Sequence, residues 1–256
     1  MCDLTILVNS CDKHSEAWFP FFELMKRMWA VAQYPVVLNT ETKVFSYPGM
    51  EIKVINIPKS KSWSDRLIKV LANVDTPFVL MFLEDFFLLE PVNDQMFQSC
   101  LQYMRGNPDV GCISLHNTPG GKVSSTELEN FAQLDRNSEY RVNCQIGLWR
   151  TEVLRKILRS HESAWDFEVW GSKRSSRMPY KFYSIIPGVP DPFSHDLGKP
   201  IYRGHWNMES VIKVQEKTGV TITTDTLQTI PNMQALKRPP KKRQLSDYIR
   251  RIKSMF

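Results

Sequence analysis

Phe78-Val79-Leu80-Met81-Phe82-Leu83-Glu84-Asp85 is the stretch on which the fold turns. Its first six residues are apolar without alternation, the pattern of a strand buried on both faces. The run is far too short to cross a bilayer. It stops abruptly at two adjacent carboxylates. A doubly covered strand belongs to a mostly parallel sheet with helices on both sides, and in such sheets ligands bind outside the carboxyl ends of the strands. Glu84-Asp85 therefore marks the rim on which a site is expected.

Working back from this strand, Trp63–Val74 reads as a helix, with Leu67, Val70, Leu71 and Val74 on one face and Ser62 or Ser64 as N-cap. Glu51–Ile57, Pro35–Asn39 and Asp3–Asn9 read as strands. Glu16–Ala32 reads as a helix, in which Pro20 is tolerated only near the first turn. Two of these strands also end in polar clusters, Ser10-Cys11-Asp12 and Asn39-Thr40. The topology is expected to gather both beside Glu84-Asp85.

Working forward, Asp94–Met104 reads as a helix, Val110–Leu115 and Arg141–Trp149 as strands, Thr151–Arg159 as a helix and Lys181–Pro187 as a strand. Trp165–Lys173 is read as a short amphipathic or loop segment. His116–Gln133 and Asp191–Gly204 are expected to be loops, and His205–Thr218 a helix. No internal repeat is visible.

The 256 residues, 42% hydrophobic and 23% charged, suit one large α/β domain. Five scattered cysteines (Cys2, Cys11, Cys100, Cys112, Cys144) form no C-x-x-C pair and have no histidine at finger-like spacing. They read as free thiols of a reducing compartment, with no structural zinc site. No basic leader with a cleavage pattern precedes the first strand, so a cytoplasmic protein is expected. The net charge of +6 is concentrated: eight basic residues and Asp247 lie from Lys237 onward, giving that segment +7 and residues 1–236 a charge of −1. Nucleic-acid binding is not expected from so neutral a body. Domain 1–236 is expected to be followed by a basic linker and an amphipathic C-terminal helix, 237–256. That tail is read as a contact for an anionic membrane surface, peripheral on its inner face, as docking to a partner, or as a helix packed on its own body.

Several side chains suit transfer chemistry. Adjacent carboxylates such as Glu84 and Asp85 can hold a divalent ion, or can cap a solvated turn. Arg66, in the first turn of its helix, is unfavourable toward the helix dipole and so implies an anionic partner or a surface ion pair. Trp165-Asp166-Phe167-Glu168 offers two carboxylates among aromatics; apolar surroundings raise a carboxyl pKa and suit it to general-base work. The segment Phe193–Trp206 carries His195, Lys199, Arg203 and His205, which could close on phosphates.

In order along the chain, Asn9-Ser10-Cys11-Asp12, Trp18-Phe19-Pro20-Phe21-Phe22, Leu38-Asn39-Thr40, Trp63-Ser64-Asp65-Arg66, Glu84-Asp85-Phe86-Phe87, Gln145–Arg150 and Trp165–Glu168 resemble bacterial GT-A-fold glycosyltransferases of the cell-surface polysaccharide type. The resemblance covers roughly residues 3–210 and implies a GT-A-like, Rossmann-like sheet. It implies a nucleotide-sugar donor, by family frequency UDP-linked, and a glycan or lipid-linked acceptor. Ser10, Asp12, Asn39 and Thr40 would contact base and ribose, and Arg66 the diphosphate. Glu84-Asp85 stands where the family carries its metal motif, with Asp85 the ligand of Mn²⁺ or Mg²⁺; Phe86 occupies the usual third acidic position, so the pair would otherwise organise the sugar without metal. Glu168 or Asp166 would be the base of an inverting enzyme. The alternatives are a nucleotidyltransferase acting on sugar phosphates, which normally opens with a glycine-rich loop that Asn9–His14 lacks, and a non-catalytic membrane-associated binding protein.

Overall fold

The computed structural model describes residues 2–29, 34–118, 123–124, 127–236 and 253–254. In chain order the strands are β1 (Leu4–Asn9), β2 (Val36–Thr40), β3 (Ile52–Asn56), β4 (Phe78–Leu83), β5 (Val110–Ser114), β6 (Val123–Ser124), β7 (Phe131–Leu134), β8 (Gly147–Arg150), β9 (Lys181–Ile185), β10 (Ile201–Tyr202), β11 (His205–Asn207) and β12 (Thr229–Ile230). The helices are α1 (Trp18–Met28), α2 (Trp63–Leu71), α3 (Asp94–Gly106), α4 (Thr151–Ile157), α5 (Ala164–Ser175) and α6 (Met208–Thr218).

Among the described residues, nine strands form one sheet in the order β3-β2-β1-β4-β8-β5-β9-β7-β6, and β10-β11-β12 form a small second sheet. Within the large sheet only β8 and β7 run against the common direction. The mostly parallel α/β architecture is therefore as the sequence implies.

β4 alternates between two cores. Phe78, Leu80 and Phe82 pack on the face covered by α1, α3 and α6. Val79 and Met81 pack on the face covered by α2, α4 and α5. Each such side chain contributes about 1.5–3 kcal/mol on burial, so both faces of the central strand are committed to the core. Its only free features are its ends.

β4 and the Ser62 cap match the sequence reading closely: the Ser62 hydroxyl accepts the Asp65 N–H at 3.0 Å. Pro20 lies in the first turn of α1, after a 3-10 segment at Asp12–Ala17 that replaces the expected start at Glu16. Elsewhere the sequence misleads. Trp165–Lys173 is the middle of the twelve-residue α5, nucleated by a reciprocal Ser163–Asp166 capping box. Residues 141–146 are not strand. Arg141 is buried there and donates to the carbonyls of Ser175 at 2.7 Å and Tyr180 at 3.0 Å, while Asn143 Oδ1 accepts the Gln145 N–H. Those side-chain bonds replace a ladder. β6 and β7 fall in the expected loop His116–Gln133, and His205–Asn207 is strand rather than helix.

Three of the five cysteines (Cys100, Cys112, Cys144) are buried, and all five are free. Among the described residues no helix is long and apolar enough to cross a membrane. The expected tail, 237–256, lies outside the described residues except for Lys253 and Ser254. Ser254 is buried: its carbonyl accepts from Arg174 at 3.0 Å, and its hydroxyl bonds His161 at 2.9 Å.

Candidate functional site

The strand ends do converge. Asn9 pairs with Asn39 on one side and with Leu83 on the other, so β2, β1 and β4 finish level. Ser10, Glu41 and Glu84 accordingly follow one another along a single rim.

On the β1–β2 side the polar groups are largely engaged with each other. The Asp12 carboxylate accepts the N–H groups of Glu41 at 2.9 Å and Thr42 at 2.9 Å and the Thr42 hydroxyl at 2.6 Å. Those bonds outweigh its desolvation and hold its pKa below the usual value. Asn39 donates to Asn9 Oδ1 at 2.6 Å, and the Thr40 hydroxyl donates to the Lys43 carbonyl at 2.9 Å; both residues are fully buried. Ser10 accepts from the Trp18 indole at 2.7 Å. Of the residues expected to read a base and ribose, Asn39 and Thr40 thus present no surface, and Asp12 clips the β1 loop to the end of β2.

Arg66 donates to the Ser10 carbonyl at 2.8 Å and pairs with Glu41 at 2.6 Å. Among the described residues its buried Nε has no partner. Arg66, Glu41, Lys59, Lys61 and Lys69 line an open cavity of about 620 Å³ beyond β2 and β3. Glu41, the residue that turns Arg66 toward the rim, was not singled out in the sequence, although it directly follows Asn39-Thr40.

Glu84 and Asp85 part company at the turn after β4, which the Phe86 N–H closes onto the Leu83 carbonyl at 3.2 Å. Glu84 is buried and hydrogen-bonds His14 Nδ1. Burial alone would lower the His14 pKa, but bonds to Cys11 and Glu84, and their charges, raise it to about 10. Asp85 instead lines a cavity of about 250 Å³ with Glu168, His195 and Lys199. Burial and the Glu84 charge raise the Asp85 pKa to about 7, against the pull of His14. Among the described residues, the group of three clustered ligand-type side chains is Cys11, His14 and Glu84.

Asp166 and Glu168 separate as well. Asp166 accepts the Ser163 hydroxyl at 2.7 Å as the third residue of its helix, and is not among the cavity-lining residues. Glu168 Oε1 accepts the Cys144 N–H at 2.9 Å, and burial raises its pKa, partly offset by that bond and by the Lys199 charge. Glu168 also lines a second cavity of about 430 Å³ with Arg136, Tyr140 and Lys173. It therefore stands between two openings. Two large apolar side chains flank the smaller one, Trp165 at 69% and Leu197 at 59% exposure.

From the loop 193–206, the structure brings His195 and Lys199 to the cavity. His195 is buried against Phe86, bonds the Phe193 carbonyl at 2.9 Å, and has its pKa lowered by burial. Lys199 adopts a left-handed backbone (φ +57), a conformation that costs a non-glycine residue about 1–3 kcal/mol and is held by its surroundings. His205 and Arg203 lie elsewhere, against Gln228 and the Tyr202 ring.

No family model matches the chain, and no curated protein matches it. In structure it resembles S. aureus TarS 1-349 in complex with UDP, at 14% identity over 73% of this chain and 61% of that one, TM-score 0.46. The same fragment in complex with UDP-GlcNAc gives 14% identity over 84% and 66%, TM-score 0.46. A cytidylyltransferase from Leptospira borgpetersenii gives 9% identity over 89% and 99%, TM-score 0.46. The chain spans 36% of the longer TarS chain. These are likenesses of general layout, and the reading of the site rests on its own residues.

Proposed function

We propose that this chain is a nucleotide-sugar-dependent glycosyltransferase of inverting type, acting on a glycan or lipid-linked acceptor. The observation that carries the reading is that Glu168 lines two cavities at once, one of which it shares with Asp85 and Lys199. A transferase that moves a group between two substrates needs a base at the boundary between them.

In this reading the basic cavity at Arg66, Lys59 and Lys61 takes the nucleotide, and the cavity at Asp85 takes the sugar. Arg66 serves the phosphates; Ser10 offers its backbone at the rim, while Asp12, Asn39 and Thr40 hold the rim in shape. Asp85 accepts hydrogen bonds from sugar hydroxyls, and Trp165 offers an aromatic face to the ring. The acceptor enters from the larger cavity. Glu168 takes the proton of its hydroxyl as that oxygen bonds the anomeric carbon and the bond to the diphosphate breaks. The Lys199 ammonium, aimed at developing negative charge, favours that departure. Asp166 has no part in the chemistry.

A nucleotidyltransferase is the less favoured reading, because the turn Ser10–His14 has no glycine to let a backbone wrap a triphosphate. The test is a melting-temperature screen with UDP-, GDP-, CMP- and dTDP-sugars, followed by turnover of whichever donor binds. A ligand at a hundred times its Kd stabilises by about 2.7 kcal/mol, a visible shift. We expect a UDP-linked sugar to give it, and Glu168→Gln to retain the shift while losing turnover. If none of the sugars shifts the melt, or if Glu168→Gln turns over normally, the reading is wrong.

A further inference from the structure

Three ligand-type side chains meet on the rim where β1 and β4 end. Cys11 lies one 3-10 turn before His14, and its carbonyl accepts the His14 N–H at 3.0 Å. The Cys11 backbone is extended as it enters that turn, and its thiol bonds the His14 imidazole. Glu84 comes from the neighbouring strand end and bonds the same imidazole. Their ligand atoms all lie within 4.8 Å of one another. The Cys11 thiol is not spent on capping the turn that follows it, and Cys11 and His14 are only partly buried. Solvent therefore reaches the cluster.

We propose that Cys11, His14 and Glu84 form a binding site for a borderline-soft divalent cation of the zinc class. The donor set decides the class: one thiolate, one imidazole and one carboxylate suit Zn²⁺ or Co²⁺, whereas Mg²⁺ and Mn²⁺ favour oxygen alone. Ligand atoms around a tetrahedral Zn²⁺ lie about 3.3–3.8 Å apart, given bonds of about 2.0–2.3 Å. The observed spread needs only small side-chain movements to meet that. The ion would displace the proton of the His14–Glu84 hydrogen bond, which leaves to solvent together with the proton of the Cys11 thiol. Three protein ligands would leave the fourth position of a tetrahedral ion open. The site does not depend on the transfer reaction.

The test is a titration of the metal-free full chain with Co²⁺, whose bond to a thiolate gives a charge-transfer band in the near ultraviolet. We expect that band at one equivalent, its bleaching by Zn²⁺, and its loss in Cys11→Ser together with about a tenfold or greater weakening of binding. Glu84→Gln should weaken binding while keeping the band, and Cys2→Ser should change nothing. Circular dichroism checks that each variant is folded, and Cys11→Ala serves if Cys11→Ser is not. Failure of the wild type to bind, binding without a thiolate band, or a band that survives loss of Cys11 would each overturn the site. All of these readouts are independent of any sugar nucleotide.

Discussion

Asp166 and Glu168 stand two positions apart on α5, yet their carboxylates serve different ends. Asp166 folds back on the Ser163 hydroxyl at 2.7 Å, and Glu168 reaches the Cys144 N–H at 2.9 Å between two cavities. One carboxylate begins the helix and the other uses it. Replacing Asp166 with Ala should therefore cost about 1 kcal/mol of stability, the usual value of such a cap, and leave kcat unchanged. Replacing Glu168 with Gln should abolish turnover with little change in melting temperature. Equal loss of kcat in both variants would mean that the two roles are not separate.

The raised Glu168 pKa gives a pH profile. A base must be ionised, so kcat/KM should rise with pH through an inflection above the ordinary glutamate value of 4.5. The sign for stability is opposite. A carboxyl whose folded pKa is raised favours the fold below 4.5, and that contribution is lost as pH climbs through the raised value. The activity limb should vanish in Glu168→Gln, and unfolding titrations at several pH values should show the second effect disappear as well.

Lys199 lines the cavity that it shares with Asp85 and Glu168. Lys199→Gln should lower kcat by about 10²–10³, the cost of removing one donor aimed at developing charge, and leave donor-induced thermal shifts nearly intact. Steady-state kinetics separates the two. A change in KM alone would assign Lys199 to ground-state binding instead.

Trp165 is exposed at the lip of the same cavity. Because its ring rests largely in water, Trp165→Ala should change stability by less than about 0.5 kcal/mol. The KM for donor or acceptor should rise with kcat little changed. A large drop in melting temperature would instead mark Trp165 as part of the core.

Glu162 and Arg174 form a buried bidentate pair at 2.7 and 2.6 Å. Glu162→Ala leaves a buried guanidinium at the last turn of α5 without its counter-charge, though still bonded to the carbonyls of Ile157 and Ser254, and should cost about 3–5 kcal/mol, read by chemical denaturation. Joint replacement by Met at both positions should recover much of that loss.

The parts of this molecule that could be read from its sequence are those where one local signal agrees with the tertiary outcome. β4 is unbroken apolar because both of its faces are covered, and Ser62 caps α2 because its oxygen can accept the Asp65 N–H while its hydroxyl donates to the Ser160 carbonyl at 2.8 Å. The rim followed from where polar residues succeed such strands. What stayed hidden depends on contacts across the chain. Residues 141–146 look like strand, but Arg141 is drawn to the carbonyls of Ser175 and Tyr180. The short strands at 201–207 exist because Gln228 and Thr229 return beside them. Two signals were present and passed over. Ser163-x-x-Asp166 is a capping box that would have lengthened α5 and given Asp166 a structural role at its start. Cys11-x-x-His14 is a spacing that means little until Glu84 is set beside it.

The carboxylate of Glu16 accepts the Trp206 indole at 2.9 Å and the N–H groups of Asp225 at 2.8 Å, Thr226 at 2.5 Å and Leu227 at 3.3 Å. A side chain just after the first strand thus waits for partners about two hundred positions later. Contacts of such separation are slow to form, since loop closure must precede their reward. The small sheet should be the last region to become native during refolding. Pulse-labelled hydrogen exchange would find the Asp225 and Thr226 amides gaining protection after those of β1 and β4, and the turn that carries Cys11 and His14 would acquire its final shape only in that closing step.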